Sequence, residues 1–217
     1  MTTRIIIARH GNNFTKEQTP LRVGARTDLP LVETERGTNI GKYLKMRTLI
    51  PAVVFAAPLK RTTETARLAI AARDKDIPLV ADSRFTEIDY GPDEGKPETE
   101  VVARVGQEAM DAWEREAIVP AGWNVSVDAI IKAWKDFAAE VERDYKDKTV
   151  MVVSSNGIIR FAPHLTGNFK KFSEEFDIKV GTGGVCILEK EDGDAYWTVK
   201  EWGIKPKDKL TDAVKSH

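Results

Sequence analysis

The stretch MVVSSNGIIR, Met151 to Arg160, decides the fold. An apolar run ends in Ser154, Ser155, Asn156 and Gly157, and a second apolar pattern begins at once. That order reads as a buried strand turning into a helix. Such a turn often holds an anion, yet nothing in it is ionisable. Two other stretches share the design. RIIIARHG (residues 4–11) and AVVFAAPLKR (residues 52–61) are short apolar runs ending in polar groups. Between and after them lie helical patterns: Ile40, Tyr43 and Leu44 before Pro51, then Thr65, Leu68, Ala69 and Ala72. Strands alternating with helices predict an α/β domain with a mainly parallel sheet. In such sheets ligands bind beyond the carboxyl ends of the strands, which singles out ARHG, APLKR and SSNG.

The remaining segments fill out this plan. IPLVAD (77–82) reads as a short strand. RFTEIDYGPDEGKPETE (84–100) is rich in Gly, Pro and acid and reads as loop. EVVARVGQEAMDAWERE reads as one helix. Ile130, Trp134, Phe137 and Val141 form the apolar stripe of a long helix, with Trp134 and Phe137 in the core. GIIRFAPHLTG reads as a short helix ending near Gly167. GGVCILEK and AYWTVKEWG flank EDGD as a hairpin. Trp113 and Trp123 suit either packing or a pocket wall. The expectation is a single domain over 1–217, with residues 206–217 as a loose polar tail.

The 33 basic and 34 acidic residues among 217 leave a net charge of −1, which argues against a nucleic-acid or polyanion binder. The lone cysteine, Cys186, makes no internal disulfide and reads as a small core residue. It predicts a reducing, cytoplasmic setting. No apolar run reaches the ~18 residues that a membrane span needs.

Three stretches could carry chemistry. His10, between Arg9 and Gly11 at a strand's end, suits a nucleophile beside an anion-holding guanidinium. Arg61, at a helix start, suits a phosphate contact. Glu87 lies between apolar Phe85 and Ile88, where desolvation would raise its pKa and fit it as a general acid. Asp89, Asp93 and Glu94 nearby read as mostly solvated.

Taken in order, these stretches resemble the histidine phosphatase superfamily, which includes the cofactor-dependent phosphoglycerate mutases. Arg9-His10-Gly11 matches its opening motif, and GARTDLPL (24–31) its Gly-Arg-x-Asp-x-Pro-Leu segment with one residue extra. APLKR (57–61) matches Ser-Pro-Leu-x-Arg. Glu87, Gly91, Glu94 and Gly95 match its Glu-x-x-x-Gly-x-x-Glu-Gly loop, and SSNGIIR matches Ser-His-Gly-Gly-x-Ile-Arg. The resemblance spans about residues 3 to 200. It implies a three-layer α/β/α fold of phosphoglycerate mutase type and a phosphohistidine on His10. Arg9 and Arg61 would clamp the phosphoryl oxygens, with Ser155 and Asn156 completing the phosphate site. Glu87 would be the general acid. It implies no metal and no cofactor. The expected partner is a small phosphorylated substrate, with no nucleic acid and no membrane. Oligomeric state is not legible, and a homodimer stays open.

The departures matter as much. Ser155 stands where the family has its second histidine. His164 and His217, the other histidines, are poorly placed to replace it. Asn156 replaces a glycine, Ala57 a serine, and Asn12 and Asn13 the usual Glu/Gln and Ser/Thr. Losing one preorganised donor typically costs ~10²–10³ in turnover. Three expectations follow: a phosphomonoesterase with reduced activity, a phosphoglycerate mutase, or a non-catalytic binder of a phosphorylated ligand.

Overall fold

The computed structural model describes residues 1–73 and 75–215. His217 lies outside them. Six strands form one sheet: β1 (Thr2–Arg9), β2 (Pro51–Ala56), β3 (Leu79–Ala81), β4 (Thr149–Ser154), β5 (Val185–Glu191) and β6 (Thr198–Ile204). Their order is β3-β2-β4-β1-β5-β6. The first four run parallel, β5 is antiparallel to β1, and β6 is antiparallel to β5.

The sheet is covered on both faces, which explains why Ile5–Ala8 of β1 and Val150–Val153 of β4 are apolar at successive positions. Side-chain alternation assigns each residue to a layer. Ile5, Ile7, Val53, Phe55, Val150 and Val152 share a core with Trp134, Phe137, Ala138 and Val141 of α5 (Val127–Asp144). Ile6, Ala8, Val54, Ala56, Met151 and Val153 face the other way. There they meet α1 (Glu35–Met46) and α2 (Lys60–Ala71). This is the expected three-layer α/β/α arrangement. Trp134 and Phe137 are core residues, as their spacing predicted, and Phe55 and Phe85 meet Phe137 edge-on at 5.2 and 5.0 Å.

Several local expectations need correction. The helix expected across 100–116 is two, α3 (Glu98–Val105) and α4 (Gln107–Glu116). Gly106 at φ 88 separates them, a backbone geometry that glycine alone adopts cheaply. After α6 (Asn156–Ile159) the chain tightens into a 3-10 turn over Ala162–Thr166, and α7 (Phe169–Glu175) follows Gly167. α1 ends at Met46, and Pro51 opens β2. Residues 206–215, expected as loose, form α8 (Pro206–Lys215), which lies against α1. Lys207 pairs with Glu35 there at 3.0 Å. Among the described residues no helix is long and apolar enough to cross a membrane.

Candidate active site

β1 and β4 are adjacent and parallel, with Arg9 opposite Ser154. Their carboxyl ends therefore deliver the two decisive turns, Arg9-His10-Gly11 and Ser155-Asn156-Gly157, side by side. The His10 backbone N–H donates to the Ser154 carbonyl at 3.1 Å and joins them. A cleft of about 530 Å³ opens beyond this edge. Arg9, His10, Glu87 and Asn156 line it, whereas Arg61 and Ser155 do not.

His10 is 7% exposed, and its Nδ1 lies 2.7 Å from the Gly11 carbonyl. A carbonyl only accepts, so Nδ1 carries the hydrogen and Nε2 keeps the lone pair. Burial holds the His10 pKa well below its usual value, and the charges of Arg9 and Arg61 push it further down. The ring is thus neutral, with the Nε2 lone pair uncommitted to Gly11.

Glu87 is buried, and burial raises its pKa despite the opposing fields of Arg61 and Arg9. Its Oε1 accepts from the Ile88 N–H at 2.9 Å. Its Oε2 accepts from the Gly157 N–H at 3.2 Å and the Tyr90 hydroxyl at 3.4 Å. A Cβ on residue 157 would sit 2.3 Å from Glu87 Oε1. Gly157 thus lets the β4 turn approach and orient the acid. Burial of Tyr90, with Glu87 beside it, raises the phenol's pKa.

The arginines are deeply set. Arg9 Nη1 donates to the Val180 carbonyl at 2.6 Å. Arg61 is fully buried. Its Nη1 donates to the Thr27 carbonyl at 2.7 Å, and its Nη2 to Gly24 and Val23 at 3.2 and 3.3 Å. It braces the GARTD loop from one side. Glu94 holds the other, accepting from the Gly24 N–H and the Thr27 hydroxyl at 3.0 and 2.7 Å. The start of α2 is not a free anion site, because Asp28 Oδ1 accepts the Lys60 N–H at 2.7 Å. Burial lowers the pKa of both Arg9 and Arg61.

Ser155 is fully buried at the entry to α6. Its Oγ, Arg9 Nε and Arg61 Nε are buried polar atoms without a protein hydrogen-bond partner. Each such group costs ~1–3 kcal/mol, and of the three residues only Arg9 lines the cleft. Asn156 Oδ1 accepts the Val180 N–H at 2.9 Å. Asn12 Oδ1 accepts the Thr182 hydroxyl at 2.6 Å, and Asn13 Nδ2 donates to the Pro30 carbonyl at 2.8 Å. These departures bind neighbouring loops.

Asp93, expected in solvent, is 2% exposed and accepts from Arg104 and from Trp123 Nε1 at 2.7 Å. Trp113 and Trp123 are buried, edge to face at 5.1 Å, and belong to the core. His164 stacks on Phe169 at 4.3 Å and does not line the cleft. Among the described residues no group of three or more His, Cys, Asp or Glu is placed to hold a metal ion.

Arg22, Tyr90, Glu114, Arg160 and Lys179, none of them among the site residues expected from the sequence, also line the cleft. Arg160 had a signal: it is a charge inside the apolar pattern GIIRF, where buried charge needs a reason. Arg22 offered none. It reaches the wall by stacking over Tyr90 and Trp123 at 5.3 and 5.1 Å.

Relatives share this frame. The chain is 33% identical over 124 residues to a 2,3-bisphosphoglycerate-dependent phosphoglycerate mutase of Bifidobacterium longum (strain DJO10A), covering 55% of this chain and 49% of the mutase. A 2,3-bisphosphoglycerate-dependent phosphoglycerate mutase 2 of Gloeobacter violaceus is 26% identical over 156 residues, 70% of each chain. The chain spans about half the length of the first of these curated relatives. Among solved structures, a mycobacterial glucosyl-3-phosphoglycerate phosphatase superposes with a TM-score of 0.74 at 19% identity, covering 94% of this chain and 99% of that one. An alpha-ribazole phosphatase from Shigella flexneri gives 0.69 at 19% identity, covering 93% and 96%. Both show the fold. The match to the histidine phosphatase superfamily (branch 1) runs over residues 5–205. With the strand order and the two paired turns, it means that this chain belongs to the histidine phosphatase superfamily.

Proposed function

We propose that the protein is a phosphomonoesterase acting on a small phosphorylated metabolite through a phosphohistidine on His10. One observation carries the reading: a buried neutral histidine with its Nδ1 hydrogen committed shares a cleft with a buried carboxyl of raised pKa. Those are the protonation states that in-line attack and leaving-group protonation require.

In the first step His10 Nε2 attacks phosphorus, the P–O bond to the alcohol breaks, and Glu87 gives its proton to the leaving oxygen. In the second, water passes a proton to Glu87 and attacks the phosphohistidine. Phosphate leaves and neutral His10 returns. Charge spreads over the equatorial oxygens in the transition state. Arg9 beside the nucleophile meets it, with Asn156 on the adjacent turn. Arg61 and Ser155 act from behind, Arg61 through its field and through the loop it braces.

The test is hydrolysis of p-nitrophenyl phosphate by the wild type and by His10→Ala. Turnover by the wild type and none by the variant is expected, and equal rates would overturn the reading. No turnover in either, with binding of a phosphorylated ligand, would instead make the protein a binder. The names of the curated relatives favour a second reading, phosphoglycerate mutase. Conversion of 3- to 2-phosphoglycerate, with and without the bisphosphorylated primer, checks it, and absence of conversion in both removes it.

A further inference from the structure

His10 keeps Nε2 free because Nδ1 is committed to the Gly11 carbonyl, 2.7 Å away. That acceptor belongs to a glycine, whose backbone is the least restricted of any residue. The direction of its carbonyl is therefore set by whatever holds the turn from outside. The peptide unit between His10 and Gly11 is gripped at both ends. The Gly183 N–H donates to the His10 carbonyl at 3.0 Å. The Gly11 N–H donates to Thr65 Oγ1 at 3.1 Å.

Thr65 is fully buried in α2, one turn beyond Arg61. Its hydroxyl donates to the Arg61 carbonyl at 2.7 Å. A hydroxyl has a single hydrogen, so this bond fixes the rotor and leaves the oxygen as an acceptor for Gly11. Back-bonding of this kind adds nothing to a helix by itself and slightly weakens it. The hydroxyls of Thr62 and Thr63, in the same helix, donate only to carbonyls of residues 57 to 60. Thr65 differs from both because it also accepts from a backbone group 54 residues away. It does not line the cleft, so it acts on the site only through the turn that it holds.

We propose that Thr65 is a positioning residue for the nucleophile: by accepting the Gly11 N–H it fixes the turn that aims the Gly11 carbonyl at His10 Nδ1, and so keeps Nε2 as the free nitrogen. Its effect on rate rests on the phosphomonoesterase reading, whereas its effect on the ring does not. A merely structural Thr65, packing α2 against the sheet, would contribute to stability and leave the imidazole unchanged.

The test joins NMR of protein labelled with ¹⁵N-histidine, which reports the ring nitrogen that carries the hydrogen, to steady-state kinetics with p-nitrophenyl phosphate. Wild-type His10 should be the Nδ1–H tautomer alone. Thr65→Val keeps the side-chain shape without the hydroxyl. It should give a mixture of tautomers and lower kcat by ~10–100-fold, with KM changed by less than about twofold. Thr65→Ser, which restores the acceptor, should recover both the tautomer and the rate. Hydrogen on Nε2 in the wild type overturns the proposal. So does a Thr65→Val protein that melts at a lower temperature but keeps the wild-type tautomer and kcat. A Thr65→Ser variant as impaired as Thr65→Val overturns it too. If Thr65→Val does not fold, Thr65→Ala takes its place in the same comparison, and an unchanged tautomer there overturns the proposal. A tautomer shift in Thr65→Val, in a protein that hydrolyses no ester, would keep the positioning role and remove the phosphatase reading.

Discussion

The turns at the ends of β1 and β4 occupy equivalent places on neighbouring strands, yet they are chemically opposite. The β1 turn carries a guanidinium and an imidazole, Arg9 and His10. The β4 turn carries Ser155, Asn156 and Gly157, with no ionisable group. The first acts through side-chain charge. The second acts through its backbone and amide: the Gly157 N–H holds Glu87, and Asn156 Oδ1 holds the Val180 N–H. A turn that has lost its charge can still position an acid by hydrogen bonding, because that depends on backbone approach rather than on residue chemistry. The guanidinium groups set deepest around the site, Arg9, Arg61 and Arg160, are all held by carbonyl oxygens, while Lys16, Arg22 and Lys179 add positive charge to the cleft wall.

The sharpest way to break this contrast is to remove the charged turn's nucleophile. His10→Ala should lower turnover of an aryl phosphate by at least ~10⁴-fold. Rapid-quench labelling with a ³²P-labelled ester should show acid-labile phosphoprotein in the wild type alone. Glu87→Gln should follow, at ~10²–10⁴ for an alkyl phosphate. Its effect should be smaller for p-nitrophenyl phosphate, whose leaving group needs little protonation. The pH profile of kcat/KM sharpens the same point. On the proposed mechanism, turnover requires neutral His10 and protonated Glu87. The acid limb therefore lies below the ordinary imidazole range, because His10 is lowered. The alkaline limb lies above the ordinary carboxylate range, because Glu87 is raised. In Glu87→Gln the alkaline limb attributed to the acid should vanish.

The neutral turn offers the subtler tests. Gly157→Ala places a methyl 2.3 Å from Glu87 Oε1. Displacing the acid should cost ~10–100-fold in kcat, and a profile unchanged in rate and pH would show that the turn does not position Glu87. Ser155→Ala should cost least, under ~10-fold, since Ser155 does not line the cleft and is not one of the donors aimed at the transition state. Ser155→His should raise the rate by restoring a charged donor. A fall would show that the enclosed position has closed around serine.

Much of this was legible in the chain. The apolar runs fixed the strands because only a doubly covered sheet buries every residue of IIIA (5–8) and VMVVS (150–154). His10, Glu87, Arg9 and Asn156 converge as their motifs implied, because all lie at strand ends or in loops on one edge. The errors arose where one residue changed backbone geometry, as at Gly106, or where docking on a distant helix stabilised a polar segment, as in α8.

By itself the sequence determined the layer architecture and the family and singled out His10 and Glu87 as candidates, since local patterning and strand-end motifs encode those directly. Only the tertiary structure decided which imidazole nitrogen is free, that burial raises Glu87, and that Arg61 braces a loop from behind the cleft. It alone brought Arg22 and Arg160 into the wall. Protonation, desolvation and guanidinium orientation depend on groups tens of residues away, and spacing along a chain carries no record of what packs against it.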